Sequence, residues 1–293
     1  MHHDHALLTI PTGVNPVIID TDVANEIDDP FAIAHALLSP DRIQLLGITL
    51  APFRRKGMSA KDSQIQNRSL CAATLAALGR ADIPVMDGAH AFMENTGDAV
   101  DSDAVEFLID RAEKHDRLFI LAIGAATNVA SMILQRPDLK SKVTILWLGG
   151  HTPDYPDATE YNLMGDVYAS QVLLNSGFPL IRFPALGVTS HLLVSLAALE
   201  KDIEGANPIG GLLTNLVREY QTDHFGYEKE MWDVGVTAYM VNPKWFSIVT
   251  EPTPGVTDDG FWIARPSAHL GIRTTFCQRN AIMKDLLRKI ADA

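Results

Sequence analysis

Between residues 17 and 183, six short apolar runs recur at intervals, with helical patterns set between them. The runs cover residues 17–20, 43–49, 83–86, 118–123, 143–148 and 180–183. Each is strand-length and built mostly from Val, Ile and Leu. The stretches 31–38, 63–78, 103–114, 128–135 and 167–175 read as helices between them. A repeated β-α-β-α order admits few topologies, because successive parallel strands need right-handed helical crossovers that cover the sheet. The expected fold class is α/β: an open, mostly parallel, doubly wound (Rossmann-like) sheet with helices on both faces. The last third reads differently. Residues 192–204, 209–224 and 234–240 suit helices, and 281–290 a closing helix. Residues 246–250, 262–265 and 271–276 suit strands, with antiparallel pairing expected. No repeat, low-complexity tract or linker interrupts the chain, so residues 1–293 are read as one domain.

In such a fold, ligands bind at the C-terminal ends of the strands. The first of those ends carries Asp20-Thr21-Asp22-Val23-Ala24-Asn25-Glu26-Ile27-Asp28-Asp29-Pro30, with five acidic side chains in ten positions. Pro30 suits the first turn of the helix that comes next. One helix start uses one or two carboxylates as caps. Five crowded together repel one another, and an ordered loop then calls for a cation. Hard oxygen donors in that number favour Ca²⁺ or Mg²⁺ over Zn²⁺.

Composition removes several alternatives. The formal net charge is −12 and no Lys/Arg-rich run occurs, which argues against a nucleic-acid partner. The two cysteines, Cys71 and Cys277, exclude a disulfide framework and fit a reducing compartment, so the expected location is cytoplasmic. Residues 1–15 lack the basic start and apolar stretch of a signal peptide. No apolar run reaches transmembrane length, so no membrane partner is expected. His2, His3 and His5 could hold a stray metal ion, but a frayed terminus is the simpler reading.

Three further constellations lie at strand or helix ends. Ile123-Gly124-Ala125-Ala126-Thr127-Asn128 follows a strand and opens a helix. Its small residues let backbone approach a ligand, while the plain alternative makes Thr127 or Asn128 a helix cap. Leu148-Gly149-Gly150-His151 leads through a polar loop to Glu160-Tyr161-Asn162, two polar groups around an aromatic ring, which suits a sugar. The plain alternative is a helix-entry loop with Asp166 capping the next helix. Trp232-Asp233 precedes the helical 234–240 stretch, where Asp233 is either an N-cap or a far-sequence ligand for the same cation.

In this order, these elements resemble the nucleoside hydrolases of the inosine–uridine-preferring type. Leu45-Leu46-Gly47-Ile48-Thr49 and Pro84-Val85-Met86-Asp87-Gly88 match the same family, and the resemblance spans roughly residues 16 to 250. It implies a Ca²⁺-dependent N-ribohydrolase that cleaves ribonucleosides to ribose and free base, commonly as a homodimer or homotetramer. By position, Asp22 would be the metal-bound general base. Asp28, Asp29, Asp233 and the Ile123 carbonyl would be further metal ligands. Glu160 and Asn162 would hold ribose hydroxyls, with Tyr161 packing near the sugar. Asp20 would support the loop without touching the metal.

The chain also departs from that pattern. Five residues separate Asp22 from the Asp28-Asp29 pair, where the commoner loop has three. This DTDxxNExDD loop suggests a subgroup in which Asn25 and Glu26 reach the sugar. The Gly-Asn that usually comes after the Gly-Ile-Thr stretch is replaced by Leu50-Ala51-Pro52-Phe53-Arg54-Arg55, and Arg54 or Arg55 could face the site. A His that serves many members as general acid is here Trp232. Indole cannot give up a proton at neutral pH but can stack on a base, which tilts the expectation to purine nucleosides. Core packing is its alternative role. Asp154 stands where the family often has an Asn on the ribose 5′ side. Rival readings are a non-catalytic nucleoside- or sugar-binding protein on the same fold, and a hydrolase of another ribosyl compound. Ile19-Asp20-Thr21-Asp22-Val23 also fits the start of haloacid-dehalogenase-type Mg²⁺ phosphatases. A phosphatase has no need of Glu160-Tyr161-Asn162 or Trp232-Asp233.

Overall fold

The computed structural model describes residues 6–293, so the readings placed on His2, His3 and His5 lie outside the described residues. Strands β1 (Asn15–Thr21), β2 (Ile43–Leu50), β3 (Val85–Met86), β4 (Leu118–Ala122), β5 (Val143–Leu148) and β6 (Leu180–Phe183) are parallel neighbours in the order β3-β2-β1-β4-β5-β6. They alternate with helices α1 (Asp29–Leu37), α2 (Ala60–Ala77), α3 (Asp103–Lys114), α4 (Thr127–Gln135), α5 (Tyr161–Gly165) and α6 (Val167–Asn175). The second part adds β7 (Leu193–Val194), α7 (Leu196–Asp202), α8 (Pro208–Tyr220), β8 (Lys229–Glu230) and α9 (Val234–Val241). It closes with β9 (Phe246–Pro252), β10 (Gly255–Val256), β11 (Trp262–Ile263), β12 (Leu270–Cys277) and α10 (Arg279–Ala291).

Strand alternation explains the continuous apolar runs. Val17 and Ile19 of β1 join one buried cluster with Leu121, Leu146, Phe31 and the α8–α10 side chains. Ile18 joins a second cluster with Ile120, Ile145, Trp147, Leu108 and Met132. With a core on each face, both sides of a strand must be apolar, which is the pattern of a covered parallel sheet. The α/β, doubly wound expectation therefore holds. Serines cap the helix starts: Ser59 forms a reciprocal capping box with Asp62, and Ser102 accepts from the Val105 N–H.

Several sequence-based boundaries needed correction. The run at 83–86 shortens to Val85–Met86. The helix expected at 192–204 begins only at Leu196, because Leu193–Val194 pairs with Lys229–Glu230 and Ser195 caps the helix beyond it. Residues 262–263 leave the main sheet and pair with Gly255–Val256. β12 is antiparallel to β9, as expected, but parallel to β6, extending the parallel run. Side-chain alternation is the same in both pairings, so periodicity could not tell them apart.

The chain winds outward from β1 through β2 to β3, then returns to the other side of β1 as β4. The loops leaving β1 and β4 therefore diverge, and the strand ends between them form the crevice where open α/β sheets place their ligands.

Candidate active site

The acidic loop leaves β1 at this crevice. Asp20 ends inside the sheet: its Oδ1 accepts from Thr49 Oγ1 at 2.6 Å and from Asn128 Nδ2 at 2.9 Å, tying β1 to β2 and α4. Beyond it the chain turns at once, with the Asn25 N–H donating to the Asp22 carbonyl at 2.6 Å. Asn67 accepts from the Ala24 N–H at 2.9 Å, and Arg55 donates to the Ala24 and Asn25 carbonyls at 3.3 and 3.1 Å. The five-residue loop is thus pinned by its backbone, leaving Asn25 and Glu26 side chains at the rim of a cleft of about 260 Å³.

Asp28 occupies the N-cap position of α1 and Asp233 that of α9, yet neither side chain caps its helix. Asp28 instead accepts from the Asp233 N–H at 3.0 Å, across 205 positions of sequence. Thr21 donates to Asp29. Two helix N-termini, each favouring negative charge, thereby converge. Carboxylate oxygens of Asp28, Asp29 and Asp233 lie within 4.8 Å of one another, all buried. Asp22 lines the same cleft outside that trio, and its buried Oδ2 has no hydrogen-bond partner among the described residues.

The electrostatics arise from this crowding. Burial, then the charges of Asp29, Asp28 and Glu160, push Asp22 well above the usual carboxylate range. Burial and Asp28 push Asp29 to about 8. Burial raises Asp28 to about 6, with Lys229 pulling the other way. Asp233 is raised by burial and by Asp28, Asp29 and Asp22. Four carboxylates in this environment cannot all ionise together unless a cation joins them. The donors are all hard oxygens, so the residues fit a hard divalent ion.

The opposite wall comes from β5 and α5. Glu160 caps α5, accepting from the Asn162 and Leu163 N–H groups at 2.8 and 3.0 Å and from Gly150 N–H at 3.1 Å. Burial still raises it to about 7. Asn162 donates to the Leu148 carbonyl at 3.2 Å, and Tyr161 donates to the Arg54 carbonyl. Asp166 caps α6 as well, accepting from the Ala169 N–H at 3.1 Å. A capping role and a place in the cleft are therefore compatible for Glu160.

Asp22, Asn25, Glu26, Asp28, Asp29, Ile123, Glu160, Tyr161, Asn162, Trp232 and Asp233 all line this one cleft. Some sequence alternatives fail. Neither Thr127 nor Asn128 caps α4: Thr127 donates to Asp166 at 2.7 Å, and Asn128 holds Asp20 and the Ala89 N–H. Arg54 and Arg55 do not line the cleft. Arg54 stacks 3.8 Å over Phe92 and donates to the Gly165 carbonyl at 2.6 Å, while Arg55 holds the acidic loop.

Other residues went unassigned in the sequence. His151, Thr159, Ala185 and Leu186 also line the cleft. The strand-end rule could have found His151, next to Gly149-Gly150, and Ala185-Leu186, just past β6. Lys229 had no such signal. It is buried at 2% side-chain exposure and donates to Glu26 at 2.6 Å. Burial alone would lower its pKa, but Asp28 and Glu26 raise it overall.

Pyrimidine-specific ribonucleoside hydrolase RihA of Escherichia coli (strain SMS-3-5 / SECEC) is 27% identical over 276 residues, covering 84% of this chain and 85% of that one. Among solved structures, a plant nucleoside hydrolase, PpNRh1, superposes with a TM-score of 0.78 at 20% identity, covering 97% of this chain and 100% of that one. A purine-preferring ribonucleoside hydrolase from Gardnerella vaginalis gives 0.75 at 21% identity, covering 95% and 98%. These likenesses establish the shared fold. The family described as inosine-uridine preferring nucleoside hydrolase matches residues 17–275, nearly the whole chain. Together with the cleft at the switch point, that match makes the chain a member of the inosine-uridine preferring nucleoside hydrolase family, a hydrolase acting on N-glycosyl compounds.

Proposed function

We propose that the chain is a Ca²⁺-dependent N-ribohydrolase that releases ribose and free base from ribonucleosides, purine nucleosides ahead of pyrimidine ones. The observation that carries this reading is the buried trio Asp28, Asp29 and Asp233 beside Asp22, with two N-cap aspartates diverted from their helices to face each other. Asp22, Asp28, Asp29, Asp233 and the Ile123 carbonyl would hold the ion. When bound, Ca²⁺ would supply an electrophile that gathers ribose hydroxyls and eases deprotonation of a water.

The chain's own groups do the rest. Asp22, with a free buried oxygen, accepts the proton of the attacking water as the C1′–N bond stretches. Glu160 and Asn162 orient the sugar, and Tyr161, fixed through its hydroxyl, packs beside it. Charge developing on an oxocarbenium-like ribose is stabilised by the carboxylates beneath it. Trp232 lines the cleft and offers a flat face for a purine. The names of relatives divide between pyrimidine and purine, so the purine preference rests on Trp232 alone. We further read residues 1–293 as one domain working in the cytoplasm as a homodimer or homotetramer. The buried free thiols of Cys71 and Cys277 support a reducing compartment, and no helix among the described residues is long and apolar enough to cross a membrane.

The test is chromatography of inosine and uridine incubated with the protein and with Asp22→Ala. Free base and ribose should appear with the parent chain only. Equal product from Asp22→Ala would overturn the assignment of Asp22.

A further inference from the structure

Among the described residues, Lys229 is the one buried cation beside a cleft lined by carboxylates, and the proposed chemistry does not use it. It belongs to the short β8 strand, whose partner Leu193–Val194 fixes its backbone. Its ammonium group donates to Glu26 Oε2 at 2.6 Å, sits 3.9 Å from Glu230, and lies 5.2 Å from the centre of the Tyr220 ring. Glu26 is 39% exposed and lines the cleft from the loop insertion that sets this chain apart. That insertion is otherwise held by its backbone, through Asn67 and Arg55. The side chain of Glu26 is held by Lys229, 203 positions away in sequence.

We propose that Lys229 is a positioning residue for substrate, holding Glu26 so that its second carboxylate oxygen accepts a sugar hydroxyl. The proposal rests on the nucleoside hydrolase reading of the cleft. An ammonium–carboxylate hydrogen bond is among the stronger polar contacts, and a donor on a buried strand leaves the flexible Glu26 side chain few orientations. The same cation also offsets negative charge around Asp28. Removing it should therefore act in opposite directions on the two ligands of the site. The cation gains from the more negative surroundings, and the sugar loses a fixed acceptor.

The experiment uses Lys229→Met, Glu26→Gln and the double variant, with inosine or uridine, whichever the parent chain cleaves faster, and with Ca²⁺ titrated calorimetrically. Methionine keeps the packing against Tyr220 and removes the charge. Lys229→Met should raise KM about tenfold with kcat changed much less, while Ca²⁺ binds as tightly as in the parent chain or tighter. Glu26→Gln should raise KM similarly, and the double variant should be no worse than the poorer single one. A merely structural role would weaken Ca²⁺ binding and substrate binding together, and that result overturns the proposal. So does an unchanged KM in Lys229→Met, or a Lys229→Met penalty that persists in full on the Glu26→Gln background. Should Lys229→Met not fold, Lys229→Gln removes the charge but keeps a donor, and its KM must rise above that of the parent chain by less than tenfold. Failure of the parent chain to cleave any nucleoside would instead overturn the reading beneath the proposal.

Discussion

Gly124 meets Asp22 across the switch point, and its size is testable. A methyl group on Gly124 would stand 2.9 Å from the Asp22 backbone nitrogen, 2.9 Å from Ala51 Cβ and 3.2 Å from Asp22 Cβ. Ordinary contact begins at 3.4 Å, and two of these three neighbours are the main chain and stem of Asp22, which cannot rotate away. Gly124→Ala therefore has to push the Asp22 turn aside by about 0.5 Å, an overpacking cost of about 1–3 kcal/mol. For a chain of this size that lowers Tm by about 2–6 °C. A misplacement of about 1 Å at a reacting group costs on the order of 100-fold, so half of it should cost about tenfold in kcat. Gly205→Ala is the control, since a methyl there meets nothing within 4 Å. Thermal melts and steady-state ribose release on both variants give the two numbers. If Gly124→Ala keeps the parent kcat, or if both variants lose activity alike, then Asp22 is not the group whose position matters.

Ca²⁺ binding should weaken as pH falls. Asp29 is raised to about 8 and Asp28 to about 6, so near neutral pH a cation has to displace a proton from Asp29, and toward pH 6 from Asp28 as well. Calorimetry in two buffers of different ionisation heat should reveal that release, and an affinity flat from pH 6 to 8 would contradict it. Trp232→Ala should cost purine nucleosides about tenfold in kcat/KM and uridine less; equal losses in a substrate panel would mean packing instead of stacking. A third expectation concerns His35, buried between Thr237 and Asp285. Burial lowers its pKa from 6.5, so the unfolded chain takes up that proton first. Its contribution to stability is complete above pH 6.5 and falls as pH drops below it. Tm measured from pH 8 to 5 should fall less steeply in His35→Gln than in the parent chain, and parallel curves would rule His35 out.

The parallel core was legible because strands buried on both faces leave continuous apolar runs, and because Asp103–Lys114 and Thr127–Gln135 carry clear helical spacing. The acidic loop was legible because charge that dense is costly without a purpose. Register and partners were not. Whether β12 runs with or against its neighbours leaves no trace in its alternation, and the short β7 and β8 pieces are too brief to show a period. Helix caps misled in both directions. Asp28 and Asp233 hold cap positions without capping, while Glu160 caps and still lines the cleft. Cap residues are recognised by type and place, but the direction of a carboxylate is set by groups far away in sequence. Lys229 shows the same limit: its importance comes from Glu26, 203 positions earlier. For Arg54 and Arg55 the sequence left a substrate contact and a solvated loop charge both open, because a loop charge near a site is ambiguous until its partners are known.

On the proposed reading, the carboxylate trio and Asp22 cleave a ribosyl C–N bond with a bound cation. Its most direct test is release of reducing sugar from inosine, adenosine, guanosine, uridine and cytidine, with chelator and then with Ca²⁺ restored. Ribose should appear from at least one nucleoside, be lost on chelation and return with Ca²⁺. Ribose release that survives complete chelation, or no release from any of the five with Ca²⁺ bound, would contradict that reading.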